Sequence, residues 1–353
     1  MSITRKSFGT TKAGEKATLY TMTNANGMKV SVTDFGANIV EIIVPDRNGK
    51  MDDVNLGYDS VSGYENNGPG YGSFLGRVAN RIAGACYEVG GVRYTAEKND
   101  GENCLHSGAK SYNKYMYETE LIEEEDSDSV EFSRLSPDME QGFPGNLDLT
   151  VTYTLTGSNE LVIEYFAVSD RDTVLNLTNH SYFNLRGEGS GTVLDHKVWI
   201  NADSITATDP GLIPTGEYLD VTGTPMDFRT MKTIGQDIGA DYQPLKEGFG
   251  YDHNYVLKHT TPGEVEKAAE LYEETTGRCM EVFTDMPGMQ FYSANHISGA
   301  EAGKGGKIYR SRDAICFETQ FFPNTLNIPE FPGGRISAGE EFESATIYRF
   351  SVR

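Results

Sequence analysis

Cysteine is scarce in this sequence, and its four copies are scattered. Cys86, Cys104, Cys279 and Cys316 show no C-x-x-C spacing, so the sequence predicts neither a zinc knuckle nor a disulfide-bonded scaffold. Basic residues are also few, because 30 Lys and Arg stand against 52 Asp and Glu, which gives a formal charge of −22. Such a field repels phosphate backbones and anionic lipids. We therefore expect no nucleic acid and no membrane as a partner.

Long apolar runs are missing as well. The longest aliphatic stretch, residues 39–44, has the length of a strand, far below the 18 or more residues that a membrane-spanning helix needs. The first residues lead into no apolar stretch of signal-peptide length. Together these absences predict a cytoplasmic protein.

The familiar phosphate-binding and metal-binding motifs are absent. The glycine-rich segment 68–72 lacks the third glycine of G-x-G-x-x-G, and segment 299–304 has one residue too few for a P-loop. We interpret both segments as mobile loops. There is no H-E-x-x-H, and His253 and His259 are six residues apart, which corresponds to about 20 Å on a strand. The sequence thus predicts no metal and no cofactor.

What the sequence does contain is a β pattern from end to end. Glycine, with 39 copies, is well above its usual share, and it separates short segments rich in Val, Ile, Tyr, Phe and Thr. Alternating apolar and polar residues predict strands at residues 28–33, 39–44, 147–155, 161–168, 279–283 and 345–352. We expect only short helices, at residues 60–64 and 228–238, and we favour a hairpin over a helix for residues 263–283. This pattern predicts an all-β chain, built as a large antiparallel sandwich or barrel, with residues 1–353 as a single domain.

Five polar residues lie in apolar or aromatic strand context: Arg81, His106, His180, Asp252 and Glu318. Each has an alternative interpretation, because a lone histidine is often structural, and Arg81 and Asp252 fit a structural ion pair. Glu318 is harder to explain in this way, since an unpaired carboxylate among aromatic residues has a heavy desolvation cost. It either faces solvent on an edge strand or lies in a site that needs a carboxylate of adjusted pKa.

Seven short motifs, in order, extend this set over most of the chain. They are Gly76-Arg-Val-Ala-Asn-Arg-Ile82, Leu105-His-Ser-Gly108, Asn179-His-Ser-Tyr-Phe-Asn-Leu-Arg-Gly187, Tyr251-Asp-His-Asn-Tyr255, Pro287-Gly-Met-Gln-Phe-Tyr292, Glu318-Thr-Gln and Asn327-Ile-Pro-Glu-Phe-Pro332. Together they resemble the aldose 1-epimerases, or galactose mutarotases. The resemblance implies a large single-domain β-sandwich with a sugar cleft on one face. Ser107 and Ala338 depart from the family pattern, which usually has Gly and Pro there, but neither is a charged residue of the site.

Carried over residue by residue, the resemblance implies that Glu318 is the general base and His180 the general acid of anomer interconversion in free aldohexoses such as galactose and glucose. It implies no metal and no cofactor. The sugar-binding set, which includes the two residues after the acid, is Asn80, Arg81, His106, Ser181, Tyr182, Asp252 and Gln290. Phe183, Phe249 and Phe317 are candidates either for stacking on the sugar ring or for the core.

Three alternatives stay open at this point. Asp252 and Glu318 also fit the carboxylate pair of a glycoside hydrolase, and a non-catalytic carbohydrate-binding protein needs the polar and aromatic residues but no proton-transfer pair. A relative acting on sugar phosphates is disfavoured by the charge of −22 and by the lack of a basic cluster near the motifs. The sequence leaves open the preferred sugar and whether the protein is a monomer or a homodimer.

Overall fold

The computed structural model describes residues 1–353, and β-strands make up most of it. In chain order the strands are β1 Ser2–Thr10, β2 Lys16–Thr23, β3 Lys29–Thr33, β4 Asn38–Pro45, β5 Met51–Asp53, β6 Ser73–Leu75, β7 Arg81–Ile82, β8 Cys86–Val89, β9 Val92–Thr95, β10 Cys104–Leu105, β11 Glu118–Glu123, β12 Ser127–Ser136, β13 Leu147–Thr156 and β14 Glu160–Ser169. They continue as β15 Thr173–Val174, β16 Thr178–His180, β17 Lys197–Ile200, β18 Ala202–Thr208, β19 Pro214–Asp220, β20 Lys232–Thr233, β21 Asp252–Leu257, β22 Glu266–Tyr272, β23 Arg278–Thr284, β24 Gly288–Tyr292, β25 Cys316–Gln320, β26 Arg335–Ile336 and β27 Glu341–Val352. The two α-helices are α1 Val61–Asn66 and α2 Gln243–Glu247.

Three large sheets organise these strands. The first is the N-terminal meander β1–β5, and the second has nine strands in the order β11-β12-β13-β14-β27-β23-β22-β17-β20. The third has the order β19-β18-β21-β24-β25, and all of its pairings are antiparallel. Because β27 lies in the middle of the nine-stranded sheet, the C-terminus of the chain joins two segments that are far apart in sequence.

Alternation along the strands explains how the sheets pack. In β13 every second side chain is buried, beginning with Leu147, and β14 follows the same rule beginning with Leu161. A period of two sends these residues to one face of the sheet and their polar neighbours to the other. The buried faces of all three sheets contribute to one core of 54 residues, represented by Val30, Val151 and Phe291. The predicted antiparallel sandwich is confirmed.

The local predictions hold in part. The hairpin favoured for residues 263–283 is confirmed as β22 and β23, and the short helix predicted at residues 60–64 is confirmed as α1. The helix predicted at residues 228–238 is wrong, because Lys232–Thr233 pairs with β17 as an edge strand and only a single 3-10 turn, Ile234–Gln236, follows. Glycine at position 235 fits this turn, since a Cβ there would lie 2.8 Å from the Leu194 carbonyl oxygen.

The helices are short. The longer one, α1, has six residues. Neither helix has the length and apolar composition required to cross a membrane.

A buried histidine, His196, ends the connection between β16 and β17 and is bonded to an earlier residue of the same connection. Its Nε2 accepts a hydrogen bond from the Leu185 backbone N–H at 3.1 Å, so the ring is held in the neutral form with Nε2 unprotonated. Burial lowers the pKa of His196 to about 4, and the nearby carboxylates of Glu273 and Asp195 oppose the shift only partly. Protonating Nε2 would also break the bond to Leu185.

We therefore expect His196 to make the fold acid-sensitive. Its pKa is lower in the folded than in the unfolded chain, so the unfolded chain binds more protons between pH 6.5 and about 4, and stability falls as the pH falls through this window. Between pH 7 and pH 5 the loss from this group is about 2 kcal/mol. Urea unfolding at both pH values should show a smaller drop for His196→Gln, whose amide oxygen still accepts the Leu185 bond. An equal drop in both proteins would contradict this assignment.

Candidate active site

The register of the third sheet places three predicted site residues on one face. Gln290 lies directly opposite Glu318 across β24 and β25, and Asp252 lies opposite Tyr292 across β21 and β24. Because side chains two residues apart on a strand share a face, Asp252, Gln290 and Glu318 project to the same side. Phe317 therefore projects to the other side, where it packs on Phe291 in the core.

Glu318 belongs to an edge strand, yet it does not face solvent. It is 2% exposed, because β16 packs beside β25. The solvent-facing alternative considered for this carboxylate is wrong. His180, the last residue of β16, is also buried, and its Nε2 lies 3.5 Å from Glu318 Oε1. The Tyr182 ring stacks on the His180 ring with a centroid separation of 4.8 Å and an interplanar angle of 13°.

A second segment brings Asn80 and His106 to the same place. The two residues are joined by reciprocal bonds, since the His106 N–H donates to the Asn80 carbonyl at 2.9 Å and the Asn80 N–H donates to His106 Nδ1 at 3.1 Å. Both have positive φ, 58° for Asn80 and 51° for His106, a region that side chains other than glycine seldom adopt. The rings of His106 and His180 lie 5.6 Å apart.

Arg81 connects two carboxylates at this site. Its Nε donates to Asp100 Oδ2 at 2.9 Å, and its Nη2 lies 3.9 Å from Asp252 Oδ2. Asp252 in turn accepts a bond from Gln290 Nε2 at 2.6 Å. The ion pair considered for Arg81 and Asp252 is thus the longer of two, and the closer partner, Asp100, was not singled out by the sequence. Nothing in the sequence distinguishes Asp100-Gly101 from an ordinary turn.

These side chains line one cleft of about 430 Å³, a volume typical of small-molecule sites. Eight of the nine predicted site residues reach it: Asn80, Arg81, His106, His180, Tyr182, Asp252, Gln290 and Glu318. Ser181 does not line the cleft, because it alternates away from His180 and is buried.

The three phenylalanines considered for stacking on the sugar ring do not line the cleft. Phe183 is buried against Tyr348, and Phe249 is 68% exposed outside the cleft, so neither these residues nor Phe317 lines it. Tyrosines line it instead, together with residues from the two glycine-rich segments 68–72 and 299–304. The further lining residues include Tyr58, Gly68, Pro69, Tyr71, Tyr292, His296, Gly299, Glu301 and Tyr309.

Comparison with known proteins identifies the family. A family model described as aldose 1-epimerase matches residues 18–349. The chain belongs to the aldose 1-epimerase family. It is 39% identical to the galactose mutarotase of Bos taurus, with 100% of this chain and 99% of the relative covered. It is 35% identical to the aldose 1-epimerase of Escherichia coli, with 96% of each covered.

Solved structures agree with the aldose 1-epimerase fold. The galactose 1-epimerase of Lactobacillus acidophilus superimposes with a TM-score of 0.87 at 25% identity, covering 99% of both chains. An aldose epimerase homologue from C. elegans gives 0.83 at 30% identity, covering 95% of this chain and 98% of that one.

Burial sets the protonation of the catalytic candidates of this aldose 1-epimerase. It raises the pKa of Glu318 well above its ordinary value, with the charge of Asp252 adding to the rise and Arg81 opposing it. It lowers the pKa of His180 to about 4, with Asp252 opposing the change. Burial also lowers the pKa of His106. Burial therefore disfavours the charged form of each of these groups, because it removes water from around them.

Three side chains at the cleft have donor atoms close enough to one another to be tested as ligands of a metal ion. Donor atoms of His106, His180 and Glu318 lie within 4.8 Å of one another, a cluster that the sequence did not predict because its members come from three distant segments. The donor set does not fit a metal ion. Since His106 Nδ1 accepts the Asn80 N–H, the neutral ring carries its proton on Nε2, and neither nitrogen offers a free lone pair.

We accordingly expect the epimerase to work without a metal. Exhaustive treatment with a chelator should leave the polarimetric rate of anomer exchange unchanged, because the donor set of His106, His180 and Glu318 does not fit a metal ion. The chelated sample re-supplied with Zn²⁺ or Mg²⁺ serves as the control. Activity that is lost on chelation and restored by a divalent ion would contradict the prediction.

Proposed function

We propose that this aldose 1-epimerase interconverts the α and β anomers of free aldohexoses such as galactose and glucose, with Glu318 as the general base and His180 as the general acid. The observation that carries the proposal is the 3.5 Å separation of His180 Nε2 and Glu318 Oε1, both buried at a cleft of sugar-binding size. A carboxylate and an imidazole at this separation can exchange protons with two neighbouring oxygens of one small molecule.

The chemistry of a pyranose needs such a pair. The sugar is a cyclic hemiacetal, and it opens when the anomeric hydroxyl loses a proton while the ring oxygen gains one. Glu318 accepts the first proton and His180 donates the second, and each transfer contributes about 10²–10⁴-fold. The aldehyde carbon then turns about its bond to the next carbon, and the pair runs backwards to close the ring on the other face.

The burial of the pair matches this cycle. Ring opening leaves Glu318 protonated and His180 neutral, which is the distribution that the raised pKa of Glu318 and the lowered pKa of His180 favour. Burial therefore favours the two proton transfers of ring opening, because they convert a charged pair of side chains into a neutral one.

We assign sugar binding to the polar residues around the pair. Arg81, Asp252 and Gln290 form one hydrogen-bonded group with donors and acceptors toward the cleft, and such a site disfavours sugars that lack the matching hydroxyls. Asn80, His106 and Tyr182 complete it. Ser181 lies outside the cleft lining, so we assign it no direct contact with the sugar.

Neither alternative is favoured. The hydrolase hypothesis needs Asp252 as a second catalytic carboxylate, but Asp252 already accepts a bond from Gln290 and faces Arg81. A purely binding protein has no use for a buried Glu318 beside His180, whose desolvation costs stability.

Three further features belong to this proposal. Residues 1–353 form one domain, which the shared core of the three sheets supports. The protein is cytoplasmic, which four unpaired cysteines support. It acts as a monomer or a homodimer.

Polarimetry tests the activity directly. Fresh α-D-galactose and α-D-glucose should reach anomeric equilibrium faster with the protein than without it, in proportion to its concentration, whereas chromogenic galactosides and glucosides should stay intact. A panel of aldoses then ranks the preferred sugar. Release of the chromophore, or a spontaneous rate for every aldose, would overturn the proposal.

A further inference from the structure

One wall of the cleft is formed by residues 296–301, which overlap the glycine-rich segment 299–304. Three residues beyond this wall, Lys304 turns into the protein and is buried. Its Nζ donates to the Val40 carbonyl at 2.7 Å and the Asn55 carbonyl at 2.6 Å, and it contacts Asp53 Oδ2 at 2.5 Å. A lysine ammonium has three donors, and here each one has a partner.

The backbone around Lys304 is fitted to this position. The Lys304 N–H donates to the Gly57 carbonyl at 3.1 Å and lies 3.0 Å from the Tyr309 hydroxyl. Gly303 passes so close to Tyr309 that a Cβ would lie 2.0 Å from the ring. Tyr309 itself lines the cleft. These contacts fix the position of residues 303–304 relative to Gly57 and Tyr309.

The same ammonium is connected to His180 through Asn55 and Tyr182. The Asn55 carbonyl accepts a hydrogen bond from Lys304. The side chain of the same residue accepts the Tyr182 N–H on Oδ1 at 3.2 Å. The Tyr182 carbonyl accepts the Leu56 N–H at 3.0 Å. The Tyr182 ring stacks on the His180 ring. The segment that Lys304 binds at Asn55 therefore also holds the residue that packs against His180.

Asp53 completes the anchor. Its Oδ1 accepts the backbone N–H groups of Ile42 and Asn55, each at 3.0 Å. The carboxylate thus fixes the start of the Asn55 segment from one side while Lys304 fixes it from the other. A role limited to neutralising Asp53 is the structural alternative.

We propose that Lys304 is a positioning residue of the epimerase, which fixes the 296–301 wall of the sugar cleft to the segment that carries Asn55 and, through Tyr182, orients His180. This inference rests on the proposed function. It predicts that loss of the ammonium changes catalytic constants of the folded protein and not only its stability.

The test compares three variants by polarimetry and thermal melting, with rates measured below each melting transition. Lys304→Met should raise KM for galactose about tenfold and lower kcat by a smaller factor, since displacements near 1 Å in a site cost up to about 10². Lys304→Met with Asp53→Asn removes both charges and keeps the Oδ1 acceptor, so it should regain most of the melting temperature while KM stays raised. Lys232→Met is the matched control, because Lys232 Nζ also binds a carbonyl and a carboxylate, those of Pro225 and Asp237, away from the cleft; its KM should not change.

Two outcomes would overturn the proposal: a wild-type KM and kcat in folded Lys304→Met, or recovery of both stability and KM in the double variant. If Lys304→Met does not fold, the double variant alone decides: a raised KM supports the proposal, and a wild-type KM overturns it. Calorimetric titration with galactose separates this inference from the proposed function. A wild type that binds galactose without accelerating anomer exchange contradicts the function, whereas an unchanged Kd in the variants contradicts the role of Lys304.

Discussion

Glu318→Gln should lower the turnover number for galactose by a factor on the order of 10² or more. The amide keeps the shape of the side chain but cannot accept the anomeric proton, so the donation by His180 is left without its counterpart. His180→Asn should have a loss of similar size for the opposite reason. Initial rates by polarimetry at saturating galactose measure both. The proteins should stay folded, because each change keeps a polar side chain of similar volume at a buried position.

The double variant makes this expectation sharper. The losses from residues that act as one catalytic unit are strongly non-additive, so Glu318→Gln with His180→Asn should be far less impaired than the product of the two single losses. A thermal melt of all three proteins provides the control for folding. Near-wild-type turnover in Glu318→Gln would remove the proposed base, and a destabilised protein with normal turnover in its folded fraction would make Glu318 a structural residue.

Much of the site could be predicted from the sequence because its motifs are local. Asn80 and Arg81 are neighbours in one motif, and His180 and Tyr182 share another, so their types and spacing are visible without the fold. Physical cost marked Glu318 as unusual, since a carboxylate among aromatic residues requires an explanation, but it left a solvent-facing position open. The strands were predictable for a similar reason: β13 and β14 alternate strictly.

The missed residues depend on pairing between distant segments. Asp100 reaches Arg81 only because β7 and β10 pair, and Tyr58, Tyr309 and Glu301 meet at the cleft from separate loops. Nothing local in their sequence marks them as site residues.

Strand alternation decides between the two interpretations considered for Phe317. Because Phe317 adjoins Glu318 on a strand, alternation requires it to face the core whenever Glu318 faces the cleft. A residue next to a catalytic strand position is therefore a poor candidate for the same site.

The first motif contains a residue whose role is structural, namely Arg77. Its side chain is fully buried, and its guanidinium donates only to neutral oxygens. Nη1 binds the carbonyls of Pro144 and Gly145 at 2.7 and 3.0 Å, and Nη2 binds Ser136 Oγ at 2.7 Å. Arg77 thus ties the segment that carries Asn80 and Arg81 to the end of β12 and to the loop before β13.

Arg77→Met should therefore lower the free energy of unfolding by about 3–5 kcal/mol, because at least two buried carbonyls lose their donors at about 1–3 kcal/mol each and the apolar side chain restores none of them. Urea unfolding at neutral pH, followed by tyrosine fluorescence and circular dichroism, measures the loss. Arg77→Lys should lose less, since an ammonium still satisfies some of these acceptors without the planar fork of the guanidinium. Arg171→Met is the matched control: its side chain is 63% exposed and pairs with Asp138 at 3.4 Å, so the change should cost less than about 1 kcal/mol. If Arg77→Met unfolded with a free energy within 1 kcal/mol of the wild type, as expected for Arg171→Met, the buried arginine would not be what holds this motif in place.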